Sequence, residues 1–193
     1  GMNVAGILLS TVEDSPEDVA AARAAGIPII LIDHTNPRDA DPVCSVMTDN
    51  VSAGQIAAEE LIRTGCTKLA YLAHSFDYES IQDRQLGMQK AAMPEDERPD
   101  GIIAATTPLG SGVISALLDQ GVRVPEDVGV VACENAQIKP VGSLPLTCVA
   151  ANAADIGRKA MTQMLDHIDD VDAHVHVTAL IKPTLVKRAS TRA

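Results

Sequence analysis

Gly26-Ile27-Pro28-Ile29-Ile30-Leu31-Ile32-Asp33 is the stretch on which the fold turns. It is an apolar run of strand length, entered through Gly-x-Pro and left on a carboxylate. A strand with one wet face alternates apolar and polar residues. A run apolar at every position is covered on both faces, as in a parallel sheet between helices. The residues before it agree. Ser15-Pro16-Glu17-Asp18 opens a helix, with Ser as N-cap, Pro at the first position and acids in the first turn. Gly26 stops that helix. Val4 to Leu9 is a second apolar run of the same kind.

Reading onward, the alternation repeats. Cys44-Ser45-Val46-Met47 is a shorter strand, and Asp49 or Asn50 caps a helix that ends at Gly65. Lys68–Ala73, Gly101–Ala105 and Val128–Cys133 are strands. Helices are expected over Tyr78–Ala92, Leu109–Gln120 and Ala153–Ile168, the last with Ile156, Ala160, Met164 and Leu165 on one face. Strands that alternate with helices in this way predict an α/β fold with parallel sheets.

Composition narrows the function. Hydrophobic residues make 46% of the 193 and charged residues 21%, which suits a soluble globular chain with a core of its own. No apolar run approaches the ~20 residues of a membrane helix, and the N-terminus lacks the basic and small-residue features of a secretion signal. A cytoplasmic location is therefore expected, with no membrane partner. The net charge is −11, and basic residues cluster nowhere beyond Lys187-Arg188, so this chain is not expected to grip DNA phosphates itself. Cys44, Cys66, Cys133 and Cys148 form no C-x-x-C pair and read as buried free thiols.

Sheets of this kind bind ligands beyond the carboxyl ends of their strands. The residues there are Ser10-Thr11, Asp33-His34, His74-Ser75, Thr106-Thr107 and Glu134-Asn135, nearly all short and polar. Enzyme signatures are missing. Leu109-Gly110-Ser111-Gly112 is not a phosphate loop, and no G-x-S-x-G elbow occurs. Asp33-His34 lacks a third partner, and His74, Ser75 and Asp77 are too close in sequence to face one another as a triad. No catalytic residue, no cofactor and no metal site is expected. His174-x-His176 reads as a solvated strand edge, because no Cys or carboxylate ligand stands nearby at metal-binding spacing. Arg84 can aim a planar fork of donors into a cleft, where it would hold vicinal hydroxyls or a carboxylate. A surface pair with Asp83 is the equally weighted alternative.

Several segments, in order along the chain, resemble the effector-binding core of the lactose-repressor (LacI/GalR) family of bacterial transcription regulators. They are Gly26–Asp33, Thr48-Asp49-Asn50 with Gly54, Ala57, Leu61 and Gly65, Arg84-Gln85-Leu86-Gly87, and Val122–Val131. Pro145-Leu146-Thr147-Cys148-Val149, Ile156-Gly157 and Leu185–Thr191 complete the series. The resemblance implies two parallel-sheet lobes of the periplasmic-binding-protein-like type I fold, incomplete at the N-terminus. The first lobe would take residues 3–48 and 149–175, the second 49–148 and 176–193. A small sugar-like metabolite would bind in the cleft, touching Asp33, Arg84, Glu134, Thr106, Phe76, Tyr78 and Ser10. Glu134 stands in the family's acidic position after the strand, and Thr106-Thr107 replaces the family's Asn-Asp. A homodimer is implied, with operator DNA met only through an N-terminal helix-turn-helix absent here. The match also lacks the first two strand–helix units of the first lobe and about one unit between Ala92 and Pro99. Two alternatives share the fold: a solute-binding receptor, and a dimerising paralogue that binds no ligand.

Overall fold

A computed structural model of the chain describes residues 4–10, 16–33, 43–73, 79–90, 99–134, 144–170 and 174–193. The chain divides into two compact units. The first comprises Gly1–Thr48 with Asn152–Ile181, the second Asp49–Ala151 with Lys182–Ala193.

The first unit holds β1 (Ile7–Leu9), α1 (Pro16–Ala24), β2 (Ile29–Ile32), β3 (Cys44–Thr48), α5 (Ala153–Asp169) and β8 (Thr178–Ile181). Its sheet runs β1-β2-β3-β8, parallel throughout. Period-2 geometry splits the apolar runs between two faces. Ile30, Cys44, Val46, Ala179 and Ile181 pack under Ile156, Ala160 and Met164 of α5. Ile7, Leu9, Ile29 and Leu31 pack under Val19 and Ala22 of α1. The Ile29–Ile32 run is therefore apolar at every position because helices cover both sides of β2.

The second unit holds α2 (Asn50–Arg63), β4 (Leu69–Leu72), α3 (Glu79–Lys90), β5 (Gly101–Ala104), α4 (Thr107–Asp119), β6 (Gly129–Ala132), β7 (Thr147–Ala150) and β9 (Thr184–Val186). Its sheet runs β4-β5-β6-β7-β9, parallel except for β9. Ile103, Val131 and Val149 meet Ala53, Ala57 and Leu61 of α2 on one face. Val130, Ala132 and Cys148 meet Ile114 of α4 on the other. All four cysteines are buried free thiols.

Asp49 caps α2, its carboxylate accepting from the backbone and hydroxyl of Ser52. The chain leaves α2 through Gly65 at φ 94°, a conformation that costs any other L residue. Two further glycines let α2 and α3 touch backbone to backbone. A Cβ on Gly54 would lie 1.8 Å from the Arg84 carbonyl oxygen, and one on Gly87 would lie 2.0 Å from that of Val51.

The sequence reading needs correction at two places. Residues 176–193 are expected together in the second lobe, but Thr178–Ile181 forms a strand that pairs with β3 and packs Ala179 and Ile181 against α5 of the first unit. The return from the second unit falls after Ala151 rather than after 148. This is because β7 runs to Ala150, where it pairs with Thr184. The expected α/β fold with parallel-dominated sheets stands, and within it β9 returns antiparallel along β7. The edge strand Thr184-Leu185-Val186 is exposed or half-buried at each position, so it carries only a weak apolar pattern.

Candidate functional site

Strand β5 runs out at Ala104, and Ala105 and Thr106 lead directly into α4. Opposite that turn stands Arg84 of α3. Its Nε donates to Asn50 Oδ1 at 2.9 Å and its Nη1 to the Ala105 carbonyl at 3.0 Å. Asn50 is buried, at the first turn of α2. The close α2–α3 crossing at Gly54 and Gly87 therefore sets Arg84 beside Asn50, and β5 supplies the second acceptor. Among the described residues Nη2 has no hydrogen-bond partner, so the guanidinium is held through Nε and Nη1 alone. The expected alternative, a surface pair with Asp83, is not what the guanidinium makes.

Two groups lie close to this cation. Burial pushes the Cys133 thiol up to about 12, with the Arg84 charge pulling the other way. Burial also raises the Tyr71 phenol, followed by the effect of Cys133, again against Arg84. Tyr71 donates its hydroxyl to the Ile81 carbonyl at 3.2 Å, tying β4 to α3.

Glu134 follows β6 and turns toward the N-terminus of α4. Its Oε2 accepts from the Thr107 backbone N–H at 3.0 Å, and the Thr107 hydroxyl donates to the Glu134 carbonyl at 2.8 Å. A carboxylate at a helix N-terminus satisfies an orphan N–H and meets the positive end of the helix dipole. Thr106, the N-cap residue of α4, makes no side-chain cap bond. The cap that its position suggests is supplied instead by an acid from the neighbouring strand. One oxygen of Glu134 is thus structural, and Thr106 keeps a half-buried hydroxyl.

In the first unit Asp33 follows β2 at φ 60°, a left-handed conformation that Asp tolerates better than most residues. Its Oδ1 accepts from the Thr48 backbone N–H at 3.1 Å and from the Thr48 hydroxyl at 3.3 Å. Oδ2 has no partner among the described residues. Ser10 is exposed at the end of β1. Phe76 and Tyr78, and likewise His34 and His74, lie outside the described residues. Asn50 is a positioning residue that sequence reasoning missed, and Thr107 was named only together with Thr106, without its bond to Glu134. Asn50 was read only as a possible helix cap, and its burial gave no local signal.

A second polar cluster overturns the reading of His174-x-His176 as a solvated edge. Both rings are half-buried against Cys44, the first residue of β3. Cys44 Sγ lies 3.0 Å from His174 Nε2 and 3.5 Å from His176 Nδ1. The His167 ring stacks on His174 with centroids 4.2 Å apart. The thiol lies 130 residues away in sequence, so spacing could not reveal it.

Residues 89–191 match the periplasmic binding protein-like domain family, and the chain belongs to that family. Within it, the chain is similar to transcription regulators of the lactose-repressor type. The HTH-type transcriptional repressor PurR of Mannheimia succiniciproducens is 24% identical over 96% of this chain and 63% of its own. The chain spans about three fifths of the length of the curated relatives it matches. Among solved structures, the transcriptional regulator CelR–cellobiose complex superposes with a TM-score of 0.84 at 24% identity. That likeness covers 98% of this chain and 67% of the other. A LacI family regulator from Enterococcus faecalis V583 with bound ribose gives a TM-score of 0.81 at 22% identity, over 98% and 78%. These likenesses establish the fold.

Proposed function

We propose that this chain senses a small hydroxylated metabolite, sugar-like in its hydrogen bonding, for a transcription regulator of the lactose-repressor type. The residues assigned to effector binding are Arg84, Glu134, Thr106, Asp33, Ser10, Phe76 and Tyr78. The role is binding rather than catalysis. The regulator acts in the cytoplasm as a homodimer and meets operator DNA through a separate N-terminal helix-turn-helix. Effector binding favours one arrangement of the core and so changes operator affinity. Relatives named as HTH-type repressors and fold neighbours holding cellobiose and ribose support this reading.

The observation that carries it is the half-committed Arg84. A guanidinium locked by two internal acceptors at the end of a central parallel strand is preorganised for planar recognition of vicinal hydroxyls. Calorimetric titration with pentoses, hexoses, disaccharides and nucleobases tests the proposal. A cognate ligand should bind the native chain. Arg84→Ala should weaken it by about tenfold or more, the value of one charged hydrogen bond, with unchanged circular dichroism. Glu134→Gln, which keeps an acceptor for the Thr107 N–H, should weaken it less. Equal affinity in the native and Arg84→Ala proteins would remove Arg84 from the site. A chain that dimerises yet binds none of the panel would favour the ligand-free paralogue.

A further inference from the structure

The Cys44 cluster sits at the amino-terminal edge of the first sheet. Cys44 begins β3, and His174 and His176 precede β8. Ser10 and Asp33 follow β1 and β2, at the opposite edge, so this cluster is separate from the proposed effector contacts and does not depend on that reading. Residues 174–177 run alongside the start of β3, with the Ser45 N–H donating to the Val177 carbonyl at 3.1 Å. Alternation along this segment puts the two imidazoles on one side, facing a fully buried thiol.

Ordinary hydrogen bonding accounts poorly for the arrangement. A thiol has one proton, so it can donate to one imidazole only. The second ring must then donate to sulfur, a weak acceptor. Beside them His167 is buried, and its Nδ1 has no hydrogen-bond partner among the described residues. The donor atoms of Cys44, His174 and His176 all lie within 4.8 Å of one another. Ligands at ~2.3 Å (sulfur) and ~2.1 Å (nitrogen) from a tetrahedral zinc stand roughly 3.6 Å apart. The 3.0 and 3.5 Å separations reach that value with sub-ångström adjustment.

We propose that Cys44, His174 and His176 form a binding site for one zinc-class cation, a thiophilic divalent ion that also accepts imidazole. One thiolate and two imidazoles select zinc over magnesium or calcium, which require oxygen. The fourth position opens toward a pocket of about 170 Å³ lined by His176, His167, Arg23 and Pro28. Water or a small anion can enter there, and Arg23 in the wall favours an anion. On binding, the Cys44 thiol releases its proton to solvent and the cation takes the sulfur lone pair. The ion would clasp the 174–177 segment to β3. It would thereby fix edge strand β8, whose Leu180 is 59% exposed.

The test uses the whole chain, reduced and stripped with a chelator, then titrated with Zn²⁺ and separately with Co²⁺. The expected result is one Zn²⁺ per chain, a higher melting temperature, and a thiolate-to-cobalt charge-transfer band. His176→Gln and His174→Gln, at half-buried positions where folding is not at stake, should each weaken Zn²⁺ binding by at least tenfold. Cys44→Ser should abolish the cobalt band. Arg84→Ala should leave Zn²⁺ binding unchanged, which separates this site from the effector site. Three results would each overturn the proposal: no stoichiometric Zn²⁺ uptake, a cobalt complex without the sulfur band, or uptake unaltered in both His variants.

Discussion

The two units solve the same architectural problem and treat their buried polar groups in opposite ways. In the second unit those groups are spent on one another. Ser190 is fully buried, and its hydroxyl accepts from the Thr147 N–H at 2.7 Å while donating to the Val130 carbonyl at 2.6 Å. Glu60 is buried at its carboxylate, yet it meets both Arg63 at 3.0 Å and Lys187 at 3.1 Å. In the first unit, Gln163 and His167 lie on successive turns of α5 and are buried. Neither end of the Gln163 amide has a partner among the described residues. A network with every member satisfied rigidifies a core, whereas a buried polar group left over costs stability unless something fills the gap. Buried Ser190 and Glu60 of the second unit are satisfied by its own groups, whereas buried Gln163 and His167 of the first keep polar atoms unfilled among the described residues.

That contrast can be broken most severely at the α2–α3 crossing. Gly54→Val drives a side chain into the Arg84 backbone, which cannot rotate away. It should cost about 3 kcal/mol or more in urea unfolding, and should displace Arg84 as well. Ser190→Ala leaves a buried N–H and a buried C=O unpaired, so about 2–4 kcal/mol is expected from the same measurement. A loss below about 0.5 kcal/mol would mean that the second unit does not rest on this hydroxyl.

The third prediction concerns acid. Burial alone would raise the Glu60 carboxyl, but the hydrogen bonds and charges of Arg63 and Lys187 outweigh it, and the net direction is below the ordinary 4.5. The unfolded chain thus takes up this proton at higher pH than the folded chain. Glu60 therefore contributes its stability above pH 4.5 and loses it as the pH falls from there toward the folded value. Melting temperatures recorded down this range should fall more steeply for the native chain than for Glu60→Gln. Parallel curves would remove Glu60 as a source of the acid sensitivity.

The smallest effect carries the opposite sign. Gln163→Leu replaces an unpartnered buried amide with an apolar isostere, so it should raise the stability of the metal-free protein by about 1 kcal/mol. Destabilisation would reveal a partner for Gln163 and weaken the contrast between the units.

Much of the fold was legible because its information is local. The continuous run at Ile29–Ile32 declared a strand covered on both sides, and Asp49 and Gly65 bracketed α2 almost to the residue. The edge strands β8 and β9 were missed because one side of each is wet. Thr178, Leu180 and Thr184 are exposed, and Lys182-Pro183 interrupts the apolar signal between them. In the candidate site, residue types could nominate Arg84 and Glu134 but not their neighbours. Asn50 lies 34 residues from Arg84, and Thr107 lies 27 from Glu134. The same limit hid Cys44 from the histidines. A thiol and two imidazoles far apart in sequence meet only because β3 and β8 are adjacent in the sheet.

The bonds of Ser190 and Arg192 also set a timetable for synthesis. Ser190 bridges β6 and β7, and Arg192 reaches back to the carbonyls of Thr64 and Glu126 at 3.0 and 2.7 Å. All four of those acceptor or donor positions leave the ribosome long before their partners do. A nascent chain must hold residues 49–151 together while the whole of α5 and β8 is translated, with the flank of β7 still uncovered. Contacts of such long sequence separation form late, and an unpaired strand flank invites other chains. Chaperone demand should therefore be greatest after β7 has emerged and before Thr184–Val186 arrives to seal it.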